Sequence, residues 1–155
     1  MQCGFRALRS TTDHLVRLEG AIQDAFLRNQ PLFAVFFDLE KAYDTTCRQG
    51  ILLKLRSWGV VGNLSMFVKN FLDNRVFRVR VGNSFSTLHV QKNGVPQGSV
   101  LSVTLFAIAI DGIVTATGNA VRTALYVDDF AIFIASSRIA LAERRLQLAV
   151  DRIAN

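Results

Sequence analysis

ALYVDDFAIFIA, residues 124–135, sets two short apolar runs on either side of Asp128 and Asp129. Each run is too short for a typical helix and rich in residues that favour strands, so the stretch reads as two strands separated only by the acids. Asp is disfavoured in such runs, and burying an unpaired carboxylate costs several kcal/mol. A third acid stands in similar company. Asp38 lies near the end of LFAVFFDL (32–39), a continuous apolar run that suits a strand buried on both faces. Taken singly, Asp128-Asp129 reads equally as a polar hairpin turn and Asp38 as a loop acid at a strand end. Taken together, three carboxylates that one sheet edge can share are better explained by hard cations such as Mg²⁺, which take oxygen ligands. Zinc is disfavoured, because His14, His89, Cys3 and Cys47 are scattered without ligand spacing. Divalent ions held by Asp residues beside a basic surface make the arrangement for phosphoryl transfer.

Outward from these strands the chain alternates element types. Leu15, Leu18, Ile22 and Phe26 recur at helical spacing behind the capping candidates Ser10, Thr11 and Thr12, and Pro31 closes the segment. Cys47, Ile51, Leu55 and Trp58 form a second stripe ending at Gly59, and Leu64, Phe67, Val68 and Phe71 a third. RVFRVRV (75–81) alternates with period two, Phe77, Val79 and Val81 on one face and Arg78 and Arg80 on the other. With Gly82-Asn83-Ser84 as the turn and STLHVQ (86–91) returning, it predicts a hairpin. Residues 98–117 are apolar on nearly every side, as in a core helix, and Ile139, Ala142, Leu146, Ala149 and Ile153 mark a last amphipathic one. The order predicts an α+β fold, a largely antiparallel sheet packed on helices.

Composition narrows the class further. With 155 residues, 50% hydrophobic and 19% charged, the chain is globular rather than disordered, collagen-like or coiled-coil, and one compact domain is the default. Two cysteines cannot build a disulfide framework, and MQCGFRALRS carries no apolar run of a secretory signal. Nothing in the sequence names a compartment. The longest uncharged stretch, 93–110, is interrupted by Gly94, Pro96, Gln97, Gly98, Ser99 and Ser102, so it predicts a buried helix with a polar entry loop and no membrane span. The net charge is +6, and residues 48–92 carry all of the excess: Arg48, Lys54, Arg56, Lys69, Arg75, Arg78, Arg80 and Lys92 against Asp73 alone. Such a segment suits a polyanionic partner or, on charge alone, a solvated basic face.

FFDLEKAYD (36–44), NGVPQGSVLSVTLF (93–106) and YVDDFAIF (126–133) together resemble, in order and spacing, the three palm motifs of reverse transcriptases. KAYD and the upstream GFRALRSTTDHL (4–15) look most like non-LTR, LINE-type retrotransposons. The resemblance covers nearly the whole chain. It implies a reverse-transcriptase palm with part of the fingers and RNA-directed DNA polymerase activity, extending a primer 3′-hydroxyl with dNTPs on an RNA template by two Mg²⁺ ions, with Mn²⁺ a substitute. It makes Asp38, Asp128 and Asp129 the catalytic metal ligands, joined by the backbone carbonyl of Leu39. Tyr43 matches the aromatic gate that excludes a 2′-hydroxyl, and Gln97 and Gly98 match the segment lining the nucleotide and template. Arg78 and Arg80 are the candidate phosphate contacts. Lys41 matches the family's lysine and reads equally as a surface charge, whereas Asp44 reads as support for the following helix.

The chain departs from the family at Val103, where proline is usual, at Thr46, where a small hydrophobic residue is usual, and at Leu8, where glycine is usual. The resemblance also implies a partial domain over 1–155, without the first fingers strands and the thumb, which is inactive alone and belongs to a longer polyprotein. A rival reading is a non-catalytic, RRM-like nucleic-acid-binding module. It requires exposed aromatics on the central strands rather than acids at their ends.

Overall fold

A computed structural model describes residues 10–154 of the chain. Cys3, Leu8 and the first part of the GFRALRSTTDHL segment lie outside them. The order is α1 (Thr11–Leu27), β1 (Leu32–Phe37), α2 (Ala42–Thr45), α3 (Arg48–Ser57), α4 (Asn63–Leu72), β2 (Val76–Phe77), β3 (Arg80–Val81), β4 (Ser84–Phe85), β5 (His89–Val90), α5 (Val100–Ala116), β6 (Arg122–Tyr126), β7 (Asp129–Ala135) and α6 (Ile139–Ala154). This is the expected mixture of helices and antiparallel strands. The residues fall into two compact units, one formed up to Leu39 and again from Ile110, the other by Glu40–Ala109.

The first unit is built on a three-stranded antiparallel sheet in the order β1-β7-β6. β7 lies in the middle, with Phe130, Ala131, Ile132, Phe133 and Ile134 all buried. LFAVFFDL differs from expectation here. β1 stops at Phe37 and occupies a sheet edge, and along it Ala34 and Phe36 are exposed, Phe36 to 70%. A continuous apolar run does not distinguish an edge strand with one open face from a central strand, and FAIFIA holds the central place.

Ser10 caps α1: its hydroxyl accepts the Thr12 N–H at 3.2 Å, while the Asp13 carboxylate accepts the Ser10 N–H at 2.9 Å, the reciprocal arrangement of a capping box. The buried stripe of α1 is not Leu15, Leu18, Ile22 and Phe26. Ala21 and Ala25 are each 3% exposed, whereas Phe26 is 79% exposed. His14, Leu18, Ala21 and Ala25 share one helical face, and the two alanines let the backbone approach the sheet where larger side chains would hold it away. α1 packs on β6 and β1, with the His14 ring edge-on to Tyr126 at 6.1 Å. α6 packs on β7, burying Ala142, Leu146 and Ala149.

In the second unit α3 and α4 pack together through Ile51 and Leu55 on one and Val68 and Leu72 on the other. Leu64 and Phe67, expected in the α4 stripe, are exposed. The hairpin is also more irregular than expected. β2 pairs with β5 and β3 with β4, each over two residues. Ser84 pairs with Val81, so the turn shrinks to Gly82-Asn83. Between the two ladders Val79 and Ser86 are joined by hydrogen bonds of 2.9 Å, which leaves Thr87 and Leu88 opposite Arg78, a one-residue bulge. α5 is the expected helix behind a polar loop, but it buries only Ser102, Leu105, Phe106 and Ile110 rather than nearly every side, and no helix of the described residues is long and apolar enough to cross a membrane.

The loop before α5 docks on α2 through backbone. The Gly94 N–H donates to the Thr46 carbonyl at 3.0 Å and the Val95 N–H to the Tyr43 carbonyl at 2.8 Å. Gly94 has φ +78, and a Cβ there would strike the carbonyl oxygens of Tyr43 and Asp44. Gly94→Ala should therefore lower stability by about 2 kcal/mol or more in thermal denaturation. Gly59→Ala, at φ +80 with open space around it, should lose only the left-handed backbone cost of about 1–2 kcal/mol. Equal losses would remove the close approach as the cause.

His14 yields a second test. Burial, with Arg17 adding to it, lowers its pKa from the ordinary 6.5, and Asp13 opposes them. The unfolded chain therefore takes up a proton at a higher pH than the folded one does. The stability held above pH 6.5 should drain away as pH falls from that value through the lowered folded pKa. Melting curves of the wild type and His14→Gln between about pH 7.5 and 5 should diverge, the wild type losing more. Parallel curves would show that His14 is not held neutral.

Candidate active site

The β6–β7 hairpin determines where the acids emerge. Its last pair is Tyr126 with Asp129, so the turn is Val127-Asp128 rather than Asp128-Asp129. Val127 adopts φ +55, a left-handed conformation that costs a residue with a Cβ about 1–2 kcal/mol. The ladder on either side holds it there. Asp128 thus stands at the tip and Asp129 opens β7. Across the sheet, Phe37 pairs with Phe130, the last pair of that ladder, so Asp38, which follows Phe37, and Asp129, which precedes Phe130, leave the sheet at the same end. All three acids come out at one end of the sheet, with Leu39 next in the chain.

All three are exposed, which corrects the expectation of buried carboxylates. Strand-end placement, not desolvation, distinguishes them. The donor set is all oxygen, which fits a hard divalent cation and leaves sides open for water ligands. Their side chains are not gathered into a closed cage: among the described residues no group of three or more His, Cys, Asp or Glu converges as one. Beside the acids runs an apolar groove of about 370 Å³. Phe36, Ala124 and Ala131 line it, with His14 and Leu18 from α1 and Asp129 at its polar end. Neither nitrogen of His14 has a hydrogen-bond partner among the described residues. Sequence reading weighed this histidine only as a zinc ligand.

The second unit holds the other candidates. Lys41 adopts φ +51 and starts α2, and its ammonium lies 3.5 Å from Glu40 on the surface. Tyr43 is half-buried and stacks on Phe106 of α5, with ring centroids 4.7 Å apart and planes 18° from parallel. The Gln97 amide donates to the Asp44 carboxylate at 3.4 Å, so Tyr43, Asp44 and Gln97 are brought together by the docked loop, and Gly98 follows at the surface. Thr46 departs from the family at little cost. It is 7% exposed, but its hydroxyl donates to the Ala42 carbonyl at 2.6 Å. Arg48 was counted from sequence only as one charge of the basic segment, and its docking role escaped that reading. Its guanidinium donates to the carbonyls of Gly94 at 2.6 Å and Asn93 at 3.1 Å, and burial, opposed by Asp73, lowers its pKa from the ordinary arginine value. No local signal could reveal it, because the partners lie more than forty positions away.

Arg78 and Arg80 are exposed on the hairpin. Their guanidinium carbons lie 4.2 Å and 5.6 Å from the ring centroid of Phe85, and Phe85 pairs directly with Arg80 across β3 and β4. Both arginines therefore share one face, as the period-two reading requires. Phe85 was not singled out from sequence.

The family model described as reverse transcriptase (RNA-dependent DNA polymerase) matches residues 1–155. The chain is 33% identical over 158 residues to a probable RNA-directed DNA polymerase from transposon BS of Drosophila melanogaster, covering 94% of this chain. It is 31% identical to the RNA-directed DNA polymerases from mobile element jockey of Drosophila melanogaster and Drosophila funebris, in each case over 97% of this chain. It spans 17% of the length of each of these relatives. With its whole length matched by the family's model, the chain belongs to the reverse transcriptase (RNA-dependent DNA polymerase) family.

Proposed function

We propose that this chain carries the catalytic palm, with part of the fingers, of an RNA-directed DNA polymerase of a non-LTR retrotransposon. In the longer protein it extends a DNA primer along an RNA template with dNTPs. The observation that carries the reading is the β1-β7-β6 register, which sends Asp38 and Asp129 to one sheet end beside the Asp128 turn.

Asp38, Asp128 and Asp129, with the Leu39 carbonyl, would hold two divalent ions, Mg²⁺ or Mn²⁺. Ions held there would supply activation of the primer hydroxyl and neutralisation of charge on the transferring phosphate. Everything else falls to the protein. The rigid ladder fixes the spacing of the acids, and the strained Val127 keeps Asp128 at the tip, so little reorganisation is left for the reacting state. Tyr43, braced on Phe106, is the gate against a 2′-hydroxyl: a ring that cannot retreat turns a small steric overlap into discrimination. Gln97 and Gly98, on a loop locked by Arg48 and Gly94, line the incoming nucleotide. Arg78 and Arg80 neutralise phosphates without reading bases.

The test of the metal reading is thermal. Mg²⁺ or Mn²⁺ should raise the Tm of the chain, because a cation relieves the mutual repulsion of neighbouring carboxylates, and Asp38→Asn with Asp128→Asn should abolish the gain. A double variant that keeps the wild-type metal response would rule out these acids as the site. In the full-length polymerase the same pair of substitutions should remove primer extension while leaving template binding largely intact.

Tyr43 has its own readout. Tyr43→Ala in the full-length enzyme should raise the use of ribonucleotides relative to deoxyribonucleotides by about an order of magnitude or more, the scale of a steric penalty near ~1.4 kcal/mol. Competition assays with paired rNTP and dNTP substrates measure the ratio. Unchanged selectivity would move the gate to another side chain.

A further inference from the structure

Every residue from Val76 to Val90 is exposed, and the hairpin they form has only two ladders of two residues each. A two-stranded ribbon of this kind is marginal in water by itself. Its composition is one-sided. Residues 74–92 hold Arg75, Arg78, Arg80 and Lys92 and no acid, so the partner it suits is an anion of some length. Among these cations lies an aromatic ring. Phe85 is 52% exposed even though two guanidiniums rest on it at 4.2 Å and 5.6 Å, so a large part of the ring remains open. In cation–π contact the guanidiniums are held close to the ring, ready to reach the phosphates that flank anything stacked there.

We infer that Phe85 is a base-stacking platform which makes this hairpin a binding site for single-stranded nucleic acid rather than duplex. The inference rests on the proposed reading of Arg78 and Arg80 as phosphate contacts and adds a ligand class to it. The physical distinction is access. In a duplex both faces of every internal base are covered by neighbours, and only phosphates and groove edges are offered to an exposed ribbon. In a single strand a base can leave the stack and lie on a ring, while Arg78 and Arg80 take the phosphates on either side. Stacking is tolerant of sequence, because each base has a π-face. The site therefore selects strandedness and not sequence.

The experiment uses the chain as it stands, with labelled single-stranded RNA of about 12 nucleotides, within the span such sites cover, and a blunt duplex of the same sequence. Fluorescence anisotropy over a salt series measures both. Phe85→Leu should weaken single-strand binding by about tenfold, the scale of one stacked base, leave duplex binding unchanged, and leave the salt slope unchanged, since no phosphate contact is lost. Phe85→Tyr should retain the wild-type preference, which separates stacking from a mere packing role. Arg78→Ala with Arg80→Ala should lower the salt slope by about two on both ligands. If Phe85→Leu weakens both ligands equally, or neither, while the arginine pair still matters, the stacking inference falls and the phosphate reading stands. If the arginine pair changes neither affinity nor slope, the phosphate reading itself falls and takes the inference with it.

Discussion

β7 is hydrogen-bonded along both edges, to β1 on one side and β6 on the other, and this double pairing determines where each acid emerges. The Phe130 backbone faces Phe37 on one side and Leu125 on the other. A slip of one residue in the β1–β7 ladder would send its side chains to opposite faces and separate Asp38 from Asp129. What resists the slip is burial. Phe130, Ile132 and Leu125 are each at most 3% exposed, and a shifted register would bring these residues out to water. Core packing thus fixes the geometry of groups that are themselves exposed. The left-handed Val127 is the local consequence of closing the hairpin on two residues.

The second unit solves a similar problem with backbone instead of apolar area. The NGVPQG loop must hold Gln97 near Asp44, and it does so by seating Gly94 and Val95 on the carbonyls of Thr46 and Tyr43. Arg48 takes the two carbonyls that face outward from this contact. The loop is tied at several points, which leaves little freedom for Tyr43 above Phe106. Glycine at 94 is demanded both by its left-handed φ and by the close approach, since a Cβ would meet backbone oxygens that cannot move aside.

The hairpin between these elements behaves differently. It has no buried residue, short ladders and a bulge, and its order is local: Arg80 reaches the Gly82 carbonyl at 2.8 Å, and the arginines rest on Phe85. A strongly basic, weakly packed ribbon suits a surface that gains its order from a charged ligand, whereas the sheet and the docked loop are ordered in advance. The rigid parts hold the groups expected to do chemistry, and the pliable part holds those expected to grip a substrate.

The element order, the antiparallel pairing around Asp128 and Asp129, the helix α5 behind its loop and the common face of Arg78 and Arg80 were all legible in the sequence, because each depends on local periodicity. So was the family, because three motifs keep their order and spacing along the chain. Tertiary structure alone decided the rest. Which apolar strand is central and which is an edge depends on partners, so LFAVFFDL and FAIFIA could not be ranked by hydrophobicity. α1 turned on the small Ala21 and Ala25 instead of its larger residues, because the distance to the sheet, not side-chain hydrophobicity, sets its buried face. The acids proved exposed because a strand end can leave the core within one residue. Arg48, Phe85 and the close seat of Gly94 draw their meaning from partners that the fold, rather than the local pattern, brings to them.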